Sequence, residues 1–441
     1  MRLKNLLLFG AMAATTQVGA QSWIQDTVVM GTGYANDVFY SLQNGSAKTE
    51  PSTNWHIAFQ MVPQSAYGNV SVYANHVQGG VKVYSLHMTA ADFTTVADAD
   101  TVGKTGAMKE LLNADTSWNY GAFNKLASSN PFDYGWGMYD MGTHHVNGDS
   151  LFLVNVGSGA TMQSYKLTIQ QYKSNPSDSV QWIFRVARWD GSDDTTVRIY
   201  RKPDYTDRLF AYYNLDTRTV LDREPGRQAW DMLFTRYREY TPGAPGLPYY
   251  PVMGVLTNFD VLTHQKDNTV EGDITGFQTY PYTDTINEIG SDWKSFNSTT
   301  MQWTFKDSTY YFVKTLNTNE YWQVNFLGFS GQATGEVYFR KRLLGQVNSV
   351  HELNTTPAAL FVAPNPANHS ASVMLDSKDA AGETRVLVTD MTGRVVIRQT
   401  VQVRAGMNAF ELNTASLPAG TYILSLANGS WKQALKLAVQ H

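Results

Sequence analysis

The chain has 441 residues, a formal net charge of −4 and only 16% charged residues. A mildly acidic balance with no basic run gives no electrostatic footprint for nucleic acid or for an anionic membrane surface. Its length fits two or three domains, and the absence of cysteine excludes disulfides, thiolate zinc sites and a thiol nucleophile.

Aromatic residues make up 13% of the chain and tyrosine alone counts 25. Aromatic and β-branched side chains suit a half-buried pleated surface, so this composition predicts an all-β protein. The N-terminus reads MRLKNLLLFGAMAATTQVGAQ. Arg2 and Lys4 precede a short apolar stretch, and Val18, Gly19 and Ala20 place small residues before Gln21. That order predicts a secretory signal peptide over 1–20. No later apolar run reaches bilayer-spanning length, so no transmembrane segment is expected.

Residues 22–345 read as alternating strands separated by turns, and their phrases occur twice. NWHIAF (54–59) matches AWDMLF (229–234), and DVFYSL (37–42) matches RLFAYY (208–213). GGVKVYSL (79–86) matches MGVLTNFD (253–260), and DSLFLV (149–154) matches DSTYYFV (307–313). YKLTIQQY (165–172) matches YWQVNFLGF (321–329), and WIFRV (182–186) matches VYFRK (337–341). The order is kept while the separation narrows along the chain. A solenoid would hold a short fixed period. The pattern predicts two tandem copies of one antiparallel β domain, over 22–203 and 204–345. Trp55, Ile57 and Phe59 fall on one strand face, as do Trp230, Met232 and Phe234. Both tryptophans are expected to be core anchors of equivalent strands.

No HExxH, GxSxG, phosphate loop or dinucleotide fingerprint occurs, which predicts a non-enzymatic protein. DADTVGKTGAMKE (98–110) begins like a calcium loop, but Val102 and Lys109 stand where oxygen ligands are needed. DGSDD (190–194) is a turn rich in oxygen acceptors of the calcium type. His144 and His145 are adjacent, so on a regular strand they point to opposite faces, and NGD just beyond them suggests a hairpin tip.

After a linker at 346–359, residues 360–441 show short strands punctuated by PNP, TGR, NTASLPAG and NGS turns, the pattern of a small Ig-like β-sandwich. The phrases APNPAN (363–368), DMTGRVV (390–396), LPAGTYILSL (417–426) and KLAVQ (436–440) resemble the type A C-terminal sorting domain of the Bacteroidetes type IX secretion system. The resemblance implies export across the inner membrane, passage through the outer membrane by the type IX machinery and removal of this domain by its C-terminal signal peptidase. It also implies anchoring to surface polysaccharide, leaving the protein secreted or attached to the outer-membrane surface.

A second resemblance covers most of 35–345. NWHIAF, GGVKVYS, YGWGMYDMG, DSLFLV and YKLTIQQY in the first copy are similar to phrases of the HmuY-type haem-binding proteins of Bacteroidetes. AWDMLFTRY, YPVMGVLTN, DSTYYFV and YWQVNFLGF are similar to them in the second. The resemblance implies tandem HmuY-like β domains and haem held between two axial side chains. One family ligand lies five residues after the Trp of the G-W phrase, which gives Met141 in the first copy and Ser298 in the second. The other comes from the central hairpin, where Met108 is the one Met or His in 89–137, and His144 or His145 could substitute. Thioether sulfur and imidazole nitrogen both suit haem iron. The expected function is a haem-binding surface protein, taking haem or host haemoproteins as partners. The alternative is a surface adhesion module for glycans or host proteins.

Overall fold

The computed structural model describes residues 22–62, 70–97, 108–174, 180–241, 248–346, 359–377, 382–390, 394–427 and 432–440. The signal peptide, most of the 98–110 loop and the linker interior at 347–358 lie outside the described residues. Strands alternate with turns throughout, and the all-β class holds.

The strands of the body, in chain order, begin with β1 (Ile24–Val29), β2 (Asn36–Ser41), β3 (Gly45–Pro51), β4 (Ile57–Gln60), β5 (Val72–Ala74) and β6 (Val81–Ser85). Next come β7 (Gly137–Asp140), β8 (His145–Gly148), β9 (Phe152–Val156), β10 (Gln163–Lys173), β11 (Gln181–Arg188) and β12 (Thr195–Tyr200). Then follow β13 (Phe210–Asn214), β14 (Thr219–Leu221), β15 (Met232–Tyr240), β16 (Tyr249–Thr257) and β17 (Val261–Lys266). The body closes with β18 (Lys294–Asn297), β19 (Gln302–Phe305), β20 (Tyr310–Thr315), β21 (Glu320–Phe329) and β22 (Glu336–Gln346).

These strands build two sandwiches that meet face to face. In the first, an inner sheet β14-β13-β4-β5 packs on an outer sheet of β12-β11-β10-β8-β7, with β9 also joined to β10 and β6 to β9. In the second, an inner sheet β16-β15-β2-β3 packs on an outer sheet β1-β22-β21-β20-β17. The side-chain period of two divides each inner strand between two cores. On β4, Ile57 and Phe59 enter the first sandwich, while Ala58 faces the other inner sheet. On β15, Met232 and Phe234 enter the second sandwich, while Leu233 faces back. The middle core thus unites Phe39, Tyr73, Trp118, Phe210, Tyr212, Trp230, Leu233 and Leu256.

The strand pairing crosses the expected boundary at 203/204 in both directions. β13, which lies beyond it, pairs with β4. β1 and β2, which lie before it, pair with β22 and β15. Each copy gives its leading strands to the sandwich of the other. The first sandwich is therefore continuous in sequence from β4 to β14. The second is assembled from the chain's beginning and from β15 to β22.

The repeat holds in register, with two of the matched phrases shifted. Tyr213 pairs with Ile57 as Tyr40 pairs with Met232, so DVFYSL aligns with 210–215 rather than 208–213. Asn75 donates from its side chain to the Trp55 carbonyl at 3.0 Å, and Asn258 does the same to the Trp230 carbonyl at 2.6 Å. MGVLTN (253–258) therefore aligns with VSVYAN (70–75), not with GGVKVYSL. His56 and Asp231 are also equivalent: each accepts a backbone N–H, from Leu215 at 2.9 Å and Leu42 at 2.7 Å.

The C-terminal unit comprises β23 (Ala359–Ala363), β24 (Ser370–Ser377), β25 (Gly382–Thr389), β26 (Val395–Val403), β27 (Gly406–Asn413), β28 (Gly420–Ala427) and β29 (Lys432–Val439). Sheets β23-β24-β27 and β26-β25-β28-β29 enclose a separate core around Val373, Leu375, Val386, Val388 and Leu424. Met407 reaches the edge of the first sandwich's core. Among the described residues, no helix is long and apolar enough to cross a membrane.

Candidate functional site

Between the two inner sheets lies a cleft of about 80 Å³. The first sheet contributes Ala58, Tyr73, Phe210 and Tyr212; the second contributes Phe39, Leu233, Thr235, Tyr237 and Leu256. The segment from Asn113 to Trp118 roofs it. That roof starts in the first sandwich and is fastened to the second. Trp118 Nε1 donates to the Thr257 carbonyl at 2.8 Å, and Asp115 Oδ2 accepts the Tyr240 N–H at 2.7 Å.

The polar groups at the cleft fall into two kinds. Most are engaged. Arg223 is buried and donates to Asp37 at 3.0 Å, to Asn54 at 2.6 Å and to the Pro51 carbonyl at 2.8 Å. It also lies over the Trp55 and Tyr212 rings. Asp37 in turn accepts from Thr235 at 2.7 Å. Arg238 lies 3.5 Å from Glu110. His76 is held as one neutral tautomer: Nδ1 lies 2.8 Å from the Val81 carbonyl, which only a protonated nitrogen can satisfy. Nε2 then accepts the Asn113 N–H at 3.3 Å. Burial pushes the His76 pKa down to about 4. With both nitrogens engaged, the ring is not placed to move a proton. Burial also raises the Glu110 carboxyl.

Two donors are not engaged. Trp55 Nε1 and Arg236 Nε are buried and have no hydrogen-bond partner among the described residues. Arg236 donates from Nη1 to Gln78 at 3.2 Å and stacks over the Tyr34 ring at 5.5 Å. Burial lowers its pKa, and the groups opposing that shift are the hydroxyls of Tyr34 and Tyr250. Of the three arginines at the cleft, Arg223 and Arg238 have a carboxylate at hand, and among the described residues none lies within ion-pair distance of Arg236.

The sequence-predicted haem ligands lie elsewhere. Met141 is 54% exposed in the turn between β7 and β8, and Ser298 occupies the turn of the equivalent β18–β19 hairpin. Met108 packs against Leu86, Phe93, Val96, Leu151 and Leu153 on the outer face of the first sandwich. Leu153 pairs with Lys166, whereas the Met141 hairpin joins the same β10 at Lys173. At about 3.3 Å per residue those rows are roughly 20 Å apart. His144 sits in the turn at φ 58° with Nδ1 bonded to the Tyr139 hydroxyl at 2.9 Å, and His145 is buried within β8 opposite Lys173. Two axial ligands must meet at one iron; Met108 and Met141 do not fit that requirement. The DGSDD carboxylates are also committed: Asp193 pairs with Arg188 and Asp194 with Arg185. Among the described residues, no group of three metal-ligating side chains gathers.

Trp55 was expected as a core anchor, and it does pack edge-on to Tyr212, as Trp230 does to Phe39. Its place in the cleft wall was not legible from sequence. Nor were Arg236, Arg238 and Tyr237. Their signal was available in TRYREY (235–240), where basic and aromatic residues alternate along one strand.

Residues 362–440 match the family model described as the secretion system C-terminal sorting domain. That match confirms the sorting domain and supports export by the type IX route to the cell surface. A comparison with curated proteins finds no match. Among solved structures, the chain is similar to dimeric latent PorU from Porphyromonas gingivalis, at 11% identity and a TM-score of 0.18, covering 67% of this chain and 31% of that one. Nothing about fold or function follows from a likeness at that score.

Proposed function

We propose that this protein is a non-enzymatic binding protein, carried to the cell surface by type IX secretion, and that its ligand enters the cleft between the inner sheets. The observation that carries the reading is the pair of buried donors, Trp55 Nε1 and Arg236 Nε, without acceptors in an aromatic wall. A buried donor left unpaired costs about 1–3 kcal/mol, and a ligand acceptor would recover that. The small volume suits one group of a larger ligand, since pockets that enclose a whole small molecule run to roughly 300–1,000 Å³. Removal of the C-terminal unit after export and attachment to surface polysaccharide belong to the same proposal.

The test is ligand binding by residues 22–346, read from tryptophan fluorescence over a glycan array. Trp55→Phe keeps an aromatic ring against Tyr212 and removes the N–H together with part of the indole, so it should weaken binding about tenfold, with melts of the variant reporting the packing loss separately. Unchanged affinity in Trp55→Phe would move the site out of the cleft. Haemin belongs in the same assay: a shifted Soret band lost in Met141→Ala would overturn the cleft reading in favour of haem.

A further inference from the structure

The β15–β16 hairpin lines one wall of the cleft, and the chemistry along it narrows the ligand class. Tyr240 and Tyr250 are 52% and 53% exposed. Tyr240 and Tyr249 lie with ring centroids 5.3 Å apart. Exposed aromatic faces grouped beside a cavity are a binding surface rather than core material. Arg236 and Tyr240 lie on the same face of β15, and Tyr249 pairs directly opposite Tyr240. Tyr240, Tyr249 and the Arg236 guanidinium, whose Nε has no acceptor among the described residues, therefore share one face of the hairpin.

We propose that the ligand is an acidic saccharide, its carboxylate taken by Arg236 and Trp55 in the cleft and its next sugar ring laid on Tyr240 and Tyr249. This rests on the cleft being the binding site. A guanidinium offers a planar fork that matches a carboxylate, and both bonds are charge-assisted. The indole N–H supplies a further donor for the same group or for a ring hydroxyl. Arg223 and Arg238 already face Asp37 and Glu110, so one cation remains for the ligand. That favours one carboxylate at the cleft over a dense run of charge, which the net negative protein would also repel.

The experiment uses matched pairs. Trigalacturonate, an alginate oligomer, a hyaluronate oligomer and 3′-sialyllactose are each titrated into the protein beside the carboxyl-reduced neutral form, with a Glu-rich peptide as a further arm. At least one acid form should bind tenfold or more tighter than its neutral partner, and added salt should weaken it. Arg236→Gln should abolish that difference, Arg236→Lys should restore part of it, and Tyr249→Ala should weaken acid and neutral forms alike. Circular dichroism melts confirm that each variant is folded. Equal binding of acid and neutral forms, still sensitive to Trp55→Phe, overturns the acidic class while leaving the cleft as the site. Binding indifferent to both Trp55→Phe and Arg236→Gln overturns the cleft itself. Preference for the peptide, or no binding across all pairs, overturns the saccharide.

Discussion

Arg223 shows how a single side chain couples the two sandwiches. It follows β14 in the first, and its carboxylate partner Asp37 belongs to β2 in the second; both are buried. Removing one member of such a pair leaves an uncompensated charge, at a cost of about 3–5 kcal/mol. Arg223→Met should therefore destabilise the body by that order in urea unfolding, and Arg223→Met with Asp37→Leu should recover much of the loss. A double variant as unstable as the single would mean that the Asn54 and Pro51 bonds, not the charge pair, matter most. His76 sets a pH dependence. Its folded pKa of about 4 lies below the usual value of 6.5. The unfolded state therefore binds more protons between those values, so stability is full above about pH 6.5 and falls as pH drops toward 4. The loss approaches about 3 kcal/mol at the acid end, and His76→Gln should flatten that part of the profile. In the sequence His76 carried no motif, because its state depends on the Val81 carbonyl and Asn113 N–H that the fold brings to it. Trp55 was legible as a repeated core residue; the missing acceptor beside its N–H was not, since an absence of partners has no sequence signature.

At the scale of elements, the order of the two copies was readable and the exchange between them was not. Hydrogen-bond ladders are blind to side-chain identity, and both copies present the same alternation, so β13 fits β4 as β2 fits β15. Sequence pattern alone cannot say which copy a strand will join. The exchange gives a direct test with fragments. Residues 52–225 hold β4 to β14 and the buried Glu224 carboxylate that accepts the Leu209 and Phe210 N–H groups. That fragment should unfold cooperatively, while exposing Tyr73, Phe210 and Tyr212 and so self-associating. Residues 22–203, the span suggested by the repeat, lack β13 and β14 and should show no cooperative transition. The reverse result would refute the exchanged pairing.

At the scale of the whole molecule, the shared middle core should make the two sandwiches melt as one. The sorting domain has a core of its own, and calorimetry of residues 22–441 should resolve it as a second transition. Ending the chain at 346 should remove that transition and leave the first within a few degrees; a large shift would show that the Met407 contact holds the body together. The sorting domain was the most legible part of the chain, since its phrases are local turns whose chemistry needs no distant partner. The closing of the body is the opposite case. Ile24 pairs with Lys341, and Val29 with Glu336. Strand pairing across such a separation is slow to form. In the proposed export, led by the N-terminus, the first strands would reach the far side of a membrane long before the last ones do. They must wait there unpaired, with open edges that invite association with other chains. The edge strands carry charge, Asp26 on β1 and Lys48 and Glu50 on β3, which would keep those waiting edges apart. Time, more than stability, is what this architecture demands of the cell that makes it.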